Sequence, residues 1–326
     1  MSFPVHIQHP PEPDALTLLH SRLDSRMEIT TGELPDPARY QVLVAGRPTH
    51  EQITASPDLR ALVIPFAGLP EVTAQLMRAF PQVAIYNLHH NARPTAEMAL
   101  ALLMACAKSV IPVDRLFRTG DWRPRYQPVT SVQLAGKTAL ILGYGAVGQQ
   151  VAAMCNGLGM RVIATRRRGG EARDSLATIY PPESLPELLP QADVLVITLP
   201  LTTETSGLIG ERELGLLPAG AIVVNVGRAA IVDEAALYHA LRSGHLHSAG
   251  LDVWYVYPAE EAERAHTYPA SYPFHELDNV VMSPHRAGGG GADDVETLRM
   301  MALAGLLNTL ARGESPPNRV DLDAGY

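Results

Sequence analysis

Short apolar runs alternate with amphipathic stretches along the first part of the chain. Helical spacing of apolar positions covers residues 15–23 and 71–80. Apolar runs of strand length lie at 5–8, 41–44, 59–64 and 83–86. Strands that alternate with helices are typical of a parallel sheet covered by helices. The pattern therefore predicts a small α/β unit.

A long apolar helix is predicted over residues 95–117, and its apolar positions cover more than one stripe. Such a helix is buried on several sides, either within a domain or against a second subunit. The stretch 98–107 is too short to span a bilayer and too apolar to face solvent. We expect a homodimer in which this stretch packs against the other subunit, on the domain formed by the residues that follow this helix.

After a Pro-rich loop at 121–128, the βα alternation continues to a closing helix at 293–310. Four glycines at 288–291 predict a flexible hinge. Further strands are predicted at 161–165, 193–198, 222–226, 249–253 and 279–282. The repetition predicts a doubly wound parallel sheet, so the expected fold class is α/β with a Rossmann sheet and a second, smaller α/β domain.

An apolar run at 139–142 leads directly into a glycine motif and then a helical stretch. The motif GYGAVG occupies Gly143, Tyr144, Gly145, Ala146, Val147 and Gly148. The first glycine permits a tight turn, the second lets backbone approach a pyrophosphate, and the third lets the helix pack on the strand. A plain strand-to-helix turn is the alternative. The flanking strand and helix favour a dinucleotide site, whose phosphates would lie at the helix N-terminus.

Composition narrows the class of protein. The 326 residues suffice for two domains, 46% are apolar and 18% are charged, which excludes disorder. A net charge of −8 gives no reason to expect nucleic acid as a partner. The two cysteines, Cys106 and Cys155, read as buried small residues in a reducing compartment, and no metal cluster is apparent. With no targeting or membrane segment visible, we expect a cytoplasmic protein.

Polar side chains follow three of the predicted strands. Arg228 comes after the strand at 222–226, Asp252 lies at the end of the next, and His285 follows the last. In an open α/β sheet, ligands lie beyond the carboxyl ends of the strands. One cation, one carboxylate and one imidazole are therefore expected on the side that holds the cofactor.

Ordered motifs make the chain resemble the D-isomer-specific 2-hydroxyacid dehydrogenase family over nearly its full length. The segment 225–237 (NVGRAAIVDEAAL) resembles the family's arginine segment, 199–209 (LPLTTETSGLI) its LPLT segment, and 283–285 (SPH) its histidine segment. The resemblance implies a flavodoxin-like substrate-binding domain of residues 1–92 and 288–326. It also implies a dinucleotide-binding domain of residues 93–287 and assembly as a homodimer.

The resemblance also implies roles for these residues. Arg228 clamps the substrate carboxylate, for which its planar fork is suited, and His285 exchanges a proton with the substrate oxygen. Asp252 touches the nicotinamide carboxamide or, alternatively, forms a helix cap or structural ion pair. The loop of Ala67, Gly68 and Leu69 holds the carboxylate by its N–H groups. Further cofactor contacts fall at Leu199, Pro200, Thr205, Val226, Gly227, His285 and Gly288.

The chain departs from the family where a glutamate normally pairs with the histidine. Tyr257 stands there, just before a proline. A phenol can orient an imidazole but brings no negative charge at neutral pH. Tyr257 is therefore expected to be a catalytic partner of His285, or else a packing aromatic that points away. In the second case, Glu260 or Glu261 could substitute.

The acidic residue that marks NAD selectivity is also missing. About twenty residues past the glycine motif, where that acid bonds the ribose hydroxyl, stand Arg166, Arg167 and Arg168. Arginines bind a 2′-phosphate, so the sequence predicts NADP as the preferred cofactor, with NAD possible. A solvated basic loop is the alternative.

His89, His90 and Asn91 follow the strand at 83–86 and are candidate substrate contacts or solvated loop residues. The sequence thus predicts an NADP-preferring oxidoreductase of a small 2-keto or 2-hydroxy acid. Oxidation of a small anion in the manner of formate dehydrogenases, a branch of the family, is the second reading. A nucleotide sensor without turnover is the third.

Overall fold

The computed structural model describes residues 2–127, 131–167, 171–289 and 293–322. The chain forms two compact units, Met1–Asn91 with Gly289–Tyr326 and Ala92–Gly288. Each boundary lies one residue from the predicted one.

The smaller unit contains a five-stranded parallel sheet in the order β2-β1-β3-β4-β5. This order defines a flavodoxin-like sheet and confirms the predicted fold class. Its strands are β1 (Phe3–Ile7), β2 (Met27–Thr31), β3 (Val42–Val44), β4 (Ala61–Ile64) and β5 (Ala84–Asn87). Its helices are α1 (Pro13–Arg22), α2 (His50–Thr54), α3 (Glu71–Met77) and α11 (Asp293–Ala311).

The sequence pattern missed β2 because an edge strand needs no continuous apolar run. MEITT alternates half-buried and exposed positions along 27–31. The central strands of this sheet are buried along their length, as β3 and β4 are, and so carry the apolar runs that the pattern detects. Helix α11 packs on this sheet through Met300, Leu303 and Leu307, whose spacing places them on one helix face.

The larger unit contains an eight-stranded sheet in the order β13-β12-β11-β10-β6-β7-β9-β8. Every pairing is parallel except β8 with β9. Taken from β6, the first six parallel strands follow the Rossmann order, which confirms the predicted doubly wound sheet. The strands are β6 (Thr138–Leu142), β7 (Arg161–Thr165), β8 (Ala172–Arg173), β9 (Thr178–Tyr180), β10 (Val194–Ile197), β11 (Ala221–Asn225), β12 (Leu246–Leu251) and β13 (Val280–Met282).

Helices cover both faces of this sheet, so its central strands are apolar on both sides. Strand β6 is buried at every position, and so are β10 and β11. The helices are α4 (Ala92–Ala107), α5 (Val110–Phe117), α6 (Arg123–Tyr126), α7 (Ala146–Gly157), α8 (Leu185–Leu188), α9 (Glu211–Leu216) and α10 (Glu234–Arg242). The small hairpin of β8 and β9 was not predicted from the sequence.

The predicted single helix over 95–117 is wrong, because the chain breaks it into α4 and α5. Ser109 has a left-handed backbone (φ +49°), and the two helices are bent by 64°. Helix α4 packs on the sheet of its own unit so closely that a Cβ on Gly250 would lie 2.7 Å from Leu102 Cβ. The apolar stretch 98–107 is therefore buried largely by its own subunit.

Within the described ranges, no single helix is both long and apolar enough to cross a membrane. Helices α4 and α5 reach that length and composition only when taken together across their bend.

Candidate active site

The glycine motif forms the turn between β6 and α7, and its geometry excludes side chains at two of the three glycines. Gly143 has φ +99°, which favours glycine. A Cβ on Gly148 would lie 2.1 Å from the carbonyl oxygen of Gly143, so the helix could not approach the strand. A Cβ on Gly145 would meet open space within 4 Å. This bare backbone at the start of α7 fits a pyrophosphate.

Two further loops close in on this turn. The backbone N of Leu199, just after β10, lies 3.2 Å from a Cβ built on Gly143. A Cβ on Gly227, after β11, would lie 2.7 Å from the carbonyl oxygen of Leu199. Strands β6 and β10 are the neighbours at which the strand order reverses, and dinucleotides bind at this point of such sheets.

Arg166 and Arg167 follow β7, next to the glycine turn along the sheet edge, whereas Arg168 lies outside the described residues. We call Arg166 and Arg167, with the carboxylates Asp174 and Glu204, the basic edge. Nη1 of Arg167 lies 3.8 Å from Oε2 of Glu204. Two cations and two carboxylates therefore meet where the sequence predicted cations alone.

Tyr144 of the glycine motif is 2% exposed, so its side chain belongs to the core. Its hydroxyl donates to Oδ2 of Asp174 at 2.7 Å, while the N–H groups of Leu176 and Ala177 donate to Oδ1. These hydrogen bonds, with Arg166 nearby, hold the pKa of Asp174 below its ordinary value. Asp174 thus fastens the β8–β9 hairpin to the glycine turn.

Arg228 stands in the loop after β11, and the side chain of Asn225 organises this loop. Its Oδ1 accepts from the N–H of Gly227 and its Nδ2 donates to the carbonyl oxygen of Arg228, both at 3.0 Å. Nη1 of Arg228 donates to the carbonyl oxygen of Gly227 at 2.7 Å. This bond orients the guanidinium, whose other N–H donors have no hydrogen-bond partner among the described residues.

His285 lies in the loop after β13 with φ +54°, a backbone conformation that costs energy for a non-glycine residue. Asp252 holds this loop. Its carboxylate is fully buried and accepts from Ser283 Oγ (2.5 Å), Arg286 N (2.8 Å) and Ala287 N (2.9 Å). The alternative structural role of Asp252 is therefore seen directly, and its contact with the cofactor stays a prediction.

Tyr257 and His285 lie in contact. The phenolic oxygen is 2.9 Å from Nδ1 of the imidazole and accepts the N–H of Trp254 at 3.1 Å. Because that oxygen already accepts a hydrogen bond, its own proton is free to be donated to Nδ1. Neutral His285 would then carry its proton on Nε2. We call Arg228, Tyr257 and His285 the polar corner.

The charges around His285 favour its neutral form. Partial burial and the positive charge of Arg228 lower its pKa below the ordinary value of 6.5, and the smaller effect of Asp252 opposes them. Burial raises the pKa of Tyr257, so the phenol stays protonated and remains a donor. A carboxylate in place of the Tyr257 phenol would instead raise the pKa of His285, because its negative charge would stabilise the imidazolium.

Other predicted cofactor contacts, Thr205 and Val226, have structural roles within the protein. The hydroxyl of Thr205 donates to the carbonyl oxygen of Pro200 at 2.7 Å and closes the loop after β10. The Val226 side chain is 8% exposed and packs in the core. Any contact of Val226 with a ligand would therefore run through its backbone. Gly288, the last residue of the larger unit, is half-buried.

In the smaller unit, the loop of Ala67, Gly68 and Leu69 follows β4 and is anchored by Asn87, whose Nδ2 donates to the carbonyl oxygen of Ala67 at 2.7 Å. His89, His90 and Asn91 follow β5, where the chain leaves this unit. Gly289 is described at the predicted hinge, whereas Gly290 and Gly291 lie outside the described residues.

His90 belongs to a charged cluster with Glu296 and Arg299 of α11, which pair at 2.5 Å. Nδ1 of His90 is buried and has no hydrogen-bond partner among the described residues. Burial and Arg299 lower the pKa of His90 to about 4, against the smaller opposing effect of Glu296. His90 is therefore neutral at physiological pH.

No group of three or more potential metal-binding side chains occurs in the described part of the chain. Sequence reasoning missed four supporting residues: Asn225, Ser283, Asp174 and Glu204. Asn225 and Ser283 lie beside predicted site residues, and their position at strand ends was an available signal. Asp174 and Glu204 left no such signal, because their partners are distant in the sequence.

Together, the glycine turn at the strand-order reversal and the polar corner beside it define a dinucleotide-binding protein of the doubly wound class. A model of the "D-isomer specific 2-hydroxyacid dehydrogenase, NAD binding domain" matches residues 100–287. The chain belongs to the D-isomer specific 2-hydroxyacid dehydrogenase family, as its motifs predicted.

Curated relatives and solved structures agree with this membership. A glyoxylate reductase from Aeropyrum pernix is 41% identical over 234 residues, 70% of this chain and 66% of that protein. The aligned part thus spans just under two thirds of that relative's length.

Two solved structures share the fold over the full length of both chains. A D-isomer specific 2-hydroxyacid dehydrogenase from Xanthobacter autotrophicus Py2, in complex with NADPH and MES, has a TM-score of 0.80 at 24% identity. An NADPH-dependent glyoxylate/hydroxypyruvate reductase from Sinorhizobium meliloti, in complex with NADP and sulfate, has a TM-score of 0.78 at 22% identity.

Proposed function

We propose that this protein uses NADPH to reduce a small 2-keto acid to the 2-hydroxy acid, with NADH as the weaker donor. The observation that carries the proposal is the polar corner, in which the guanidinium of Arg228, the imidazole of His285 and the phenol of Tyr257 meet beside the glycine turn. The relatives named glyoxylate reductase support glyoxylate as the first substrate to test.

Arg228 is the proposed anchor of the substrate carboxylate. A guanidinium offers two parallel donors to a planar anion, and these charge-assisted bonds are stronger than neutral ones. The Asn225 contacts hold its loop in place before substrate arrives, so little reorganisation is needed on binding. The same positive charge polarises the carbonyl that is reduced.

His285 is the proposed proton donor. When bound, the reduced nicotinamide supplies a hydride to the carbonyl carbon. His285 reacts in its protonated form: Nε2 gives its proton to the carbonyl oxygen, which completes the 2-hydroxy acid and leaves a neutral imidazole whose remaining proton is on Nδ1, toward the Tyr257 oxygen. Tyr257 occupies Nδ1 and fixes the orientation of the ring, so Nε2 is the nitrogen that remains for substrate.

NADP preference is supported by the basic edge. Arg166 and Arg167 follow β7, where an acid would select for NAD. Two solved structures of the same fold contain NADPH or NADP. The 2′-phosphate is proposed to bind here, while the remaining contacts of the sequence prediction, Leu199, Pro200 and Gly227 among them, line the path from the glycine turn to the corner.

The smaller unit is proposed to bind substrate through the N–H groups of Ala67, Gly68 and Leu69. Asn87 supports the proposal, because its bond to Ala67 fixes that loop. His89, His90 and Asn91 are proposed contacts for the rest of the substrate. A neutral His90 would accept or donate a hydrogen bond without adding charge.

We further propose a homodimer, with an interface that differs from the predicted one. Helix α5 has no buried residue, although most of its side chains are apolar. The large apolar side chains exposed in α5, in α6 and just before α6 are Val110, Leu116, Phe117, Trp122 and Tyr126. A second copy is the proposed cover of this apolar patch. Light scattering should give about twice 35.2 kDa, and a monomer at micromolar concentration would contradict it.

The proposed compartment is the cytoplasm. Cys106 and Cys155 are both buried free thiols, and burial raises their pKa values to about 12 and about 11. Unpaired thiols are typical of proteins in reducing compartments. The proposal would fail if the native protein were found outside the cytoplasm after cell fractionation.

The experiment is a turnover assay with NADPH and a panel of 2-keto acids. Reduction of glyoxylate or a close analogue is expected, and His285→Ala should lower kcat by about 10²- to 10⁴-fold with cofactor binding retained. Formate oxidation without keto-acid reduction would favour a formate dehydrogenase instead. Tight NADPH binding with no turnover of any acid would favour a nucleotide sensor.

A further inference from the structure

The Arg167–Glu204 pair joins two loops that are separated by a strand. Arg167 follows β7 and Glu204 lies in the loop after β10, and β6 runs between these strands in the sheet. The glycine turn stands at the carboxyl end of β6. The ion pair therefore reaches across the turn where the dinucleotide phosphates are expected.

Two properties make this pair exchangeable. The 3.8 Å distance exceeds that of a charge-assisted hydrogen bond, and the Glu204 side chain is 72% exposed. Exposed ion pairs of this kind are weak, and forming or breaking one changes an equilibrium constant by about fivefold or less. Asp174 differs, because three hydrogen bonds fix its carboxylate beside Tyr144.

We propose that Glu204 determines cofactor selectivity by holding Arg167 until a 2′-phosphate binds there. The inference rests on the proposed NADP preference and deepens it. Arg167 exchanges one carboxylate for a phosphate, which carries more charge and three acceptor oxygens. A 2′-hydroxyl brings no negative charge with which to displace Glu204. The carboxylate thus weakens binding of 2′-phosphorylated nucleotides and leaves the others nearly unaffected.

Isothermal titration of the full-length protein tests this without turnover. The probes are adenosine 2′,5′-bisphosphate and adenosine 5′-monophosphate, which differ only in the 2′-phosphate. Glu204→Gln should bind the bisphosphate about 3- to 5-fold tighter, with the monophosphate within twofold of wild type. The gain should shrink as salt is raised, because an exposed charge is screened.

Two further variants isolate the pair. Glu183→Gln removes one exposed carboxylate elsewhere in the same unit, so it controls for the change in net charge and should leave both affinities within twofold. In an Arg167→Gln background, Glu204→Gln should give less than half of its gain, since the partner is absent.

The inference is overturned if Glu204→Gln leaves bisphosphate affinity unchanged or strengthens both probes equally. It is also overturned if Glu183→Gln gives the same gain. The proposed cofactor preference fails separately, if wild type binds the bisphosphate no tighter than the monophosphate. A selective gain in Glu204→Gln would support the role of Glu204 even then.

Discussion

The polar corner and the basic edge lie on the same sheet edge but are held in place differently. In the corner, backbone and buried groups support the reactive side chains: Asp252 accepts three hydrogen bonds from the loop of His285, and Asn225 makes two within the loop of Arg228. At the basic edge, Arg167 meets an exposed carboxylate at 3.8 Å.

This difference follows from what each region is proposed to do. Proton transfer needs donor and acceptor at fixed distances, so supporting hydrogen bonds that are made before substrate binds lower the barrier. Selection between two cofactors needs only a difference in affinity, which exchangeable charges can provide. The buried hydrogen bonds therefore support the groups that we propose for proton transfer, and the exposed ion pair lies where we propose that the cofactor is selected.

The largest expected effect is in the corner. Arg228→Gln should lower kcat/KM for the keto acid by about 10³-fold, because it removes both the carboxylate anchor and the charge that polarises the carbonyl. Arg228→Lys keeps the charge without the fork and should recover only part of the loss. Steady-state kinetics on folded protein measure both. Activity within tenfold of wild type in Arg228→Gln would contradict the anchor.

The second effect is cofactor choice at the basic edge. Two charge-assisted contacts to a phosphate are worth roughly 2–4 kcal/mol, or about 30- to 1000-fold in kcat/KM for NADPH over NADH. Because Glu204 is proposed to compete with the 2′-phosphate for Arg167, we expect a preference for NADPH near the lower end of this range. Arg167→Gln should reduce the preference by about tenfold, while Arg173→Gln, an exposed arginine on β8, serves as the matched control. Equal kcat/KM values for the two cofactors in wild type would exclude the assignment.

The third effect tests Tyr257. Reduction needs protonated His285, so reductive kcat should fall as pH rises through the lowered pKa of this group, below 6.5. Tyr257→Glu supplies a negative charge and should move that limb upward by about 1–3 pH units. Oxidation needs the neutral imidazole, so its acidic limb should move upward as well.

His285→Ala should abolish the limb that Tyr257→Glu displaces. Tyr257→Phe, which removes the hydrogen bond without adding charge, should lower kcat without moving the limb upward. Unfolding curves must show that all three variants are folded, because a buried unpaired carboxylate costs stability. An unmoved limb in Tyr257→Glu would mean that the phenol contact does not set the protonation of His285.

The smallest expected effect is on the stability of the smaller unit, where His90 is partly buried without a hydrogen-bond partner for Nδ1 among the described residues. His90 is neutral when folded (pKa about 4) but takes up a proton near pH 6.5 when unfolded. The unfolded state then binds more protons, so stability should fall by roughly 1–2 kcal/mol from pH 7 to pH 4.5. The groups that face His90 are Arg299, Glu296 and His89.

Thermal unfolding at the two pH values measures this loss, which should lower Tm by a few degrees. His90→Gln removes the titrating group and should show a smaller pH dependence, with His20→Gln, an exposed histidine of the same unit, as control. If wild type and His90→Gln lose the same stability, the buried imidazole is not responsible.

The sequence by itself determined the central strands of both sheets, the glycine turn and the strand ends that carry Arg228 and His285, since each depends on local patterns. Runs buried on both faces specify strands, and the residues at their ends meet at one sheet edge because the strands are parallel. The family resemblance made Tyr257 a candidate partner of His285 but left open whether its ring points away, and the fold decided the contact.

Only the tertiary structure decided how the polar groups are paired. The edge strand β2, the break at Ser109, the burial of Asp252 and the Arg167–Glu204 pair each depend on residues distant in the sequence. A hydrophobic period reports which face of an element is buried, but not what lies against that face. For that reason the sequence predicted only arginines at the cofactor edge, whereas the fold brings a carboxylate to both Arg166 and Arg167.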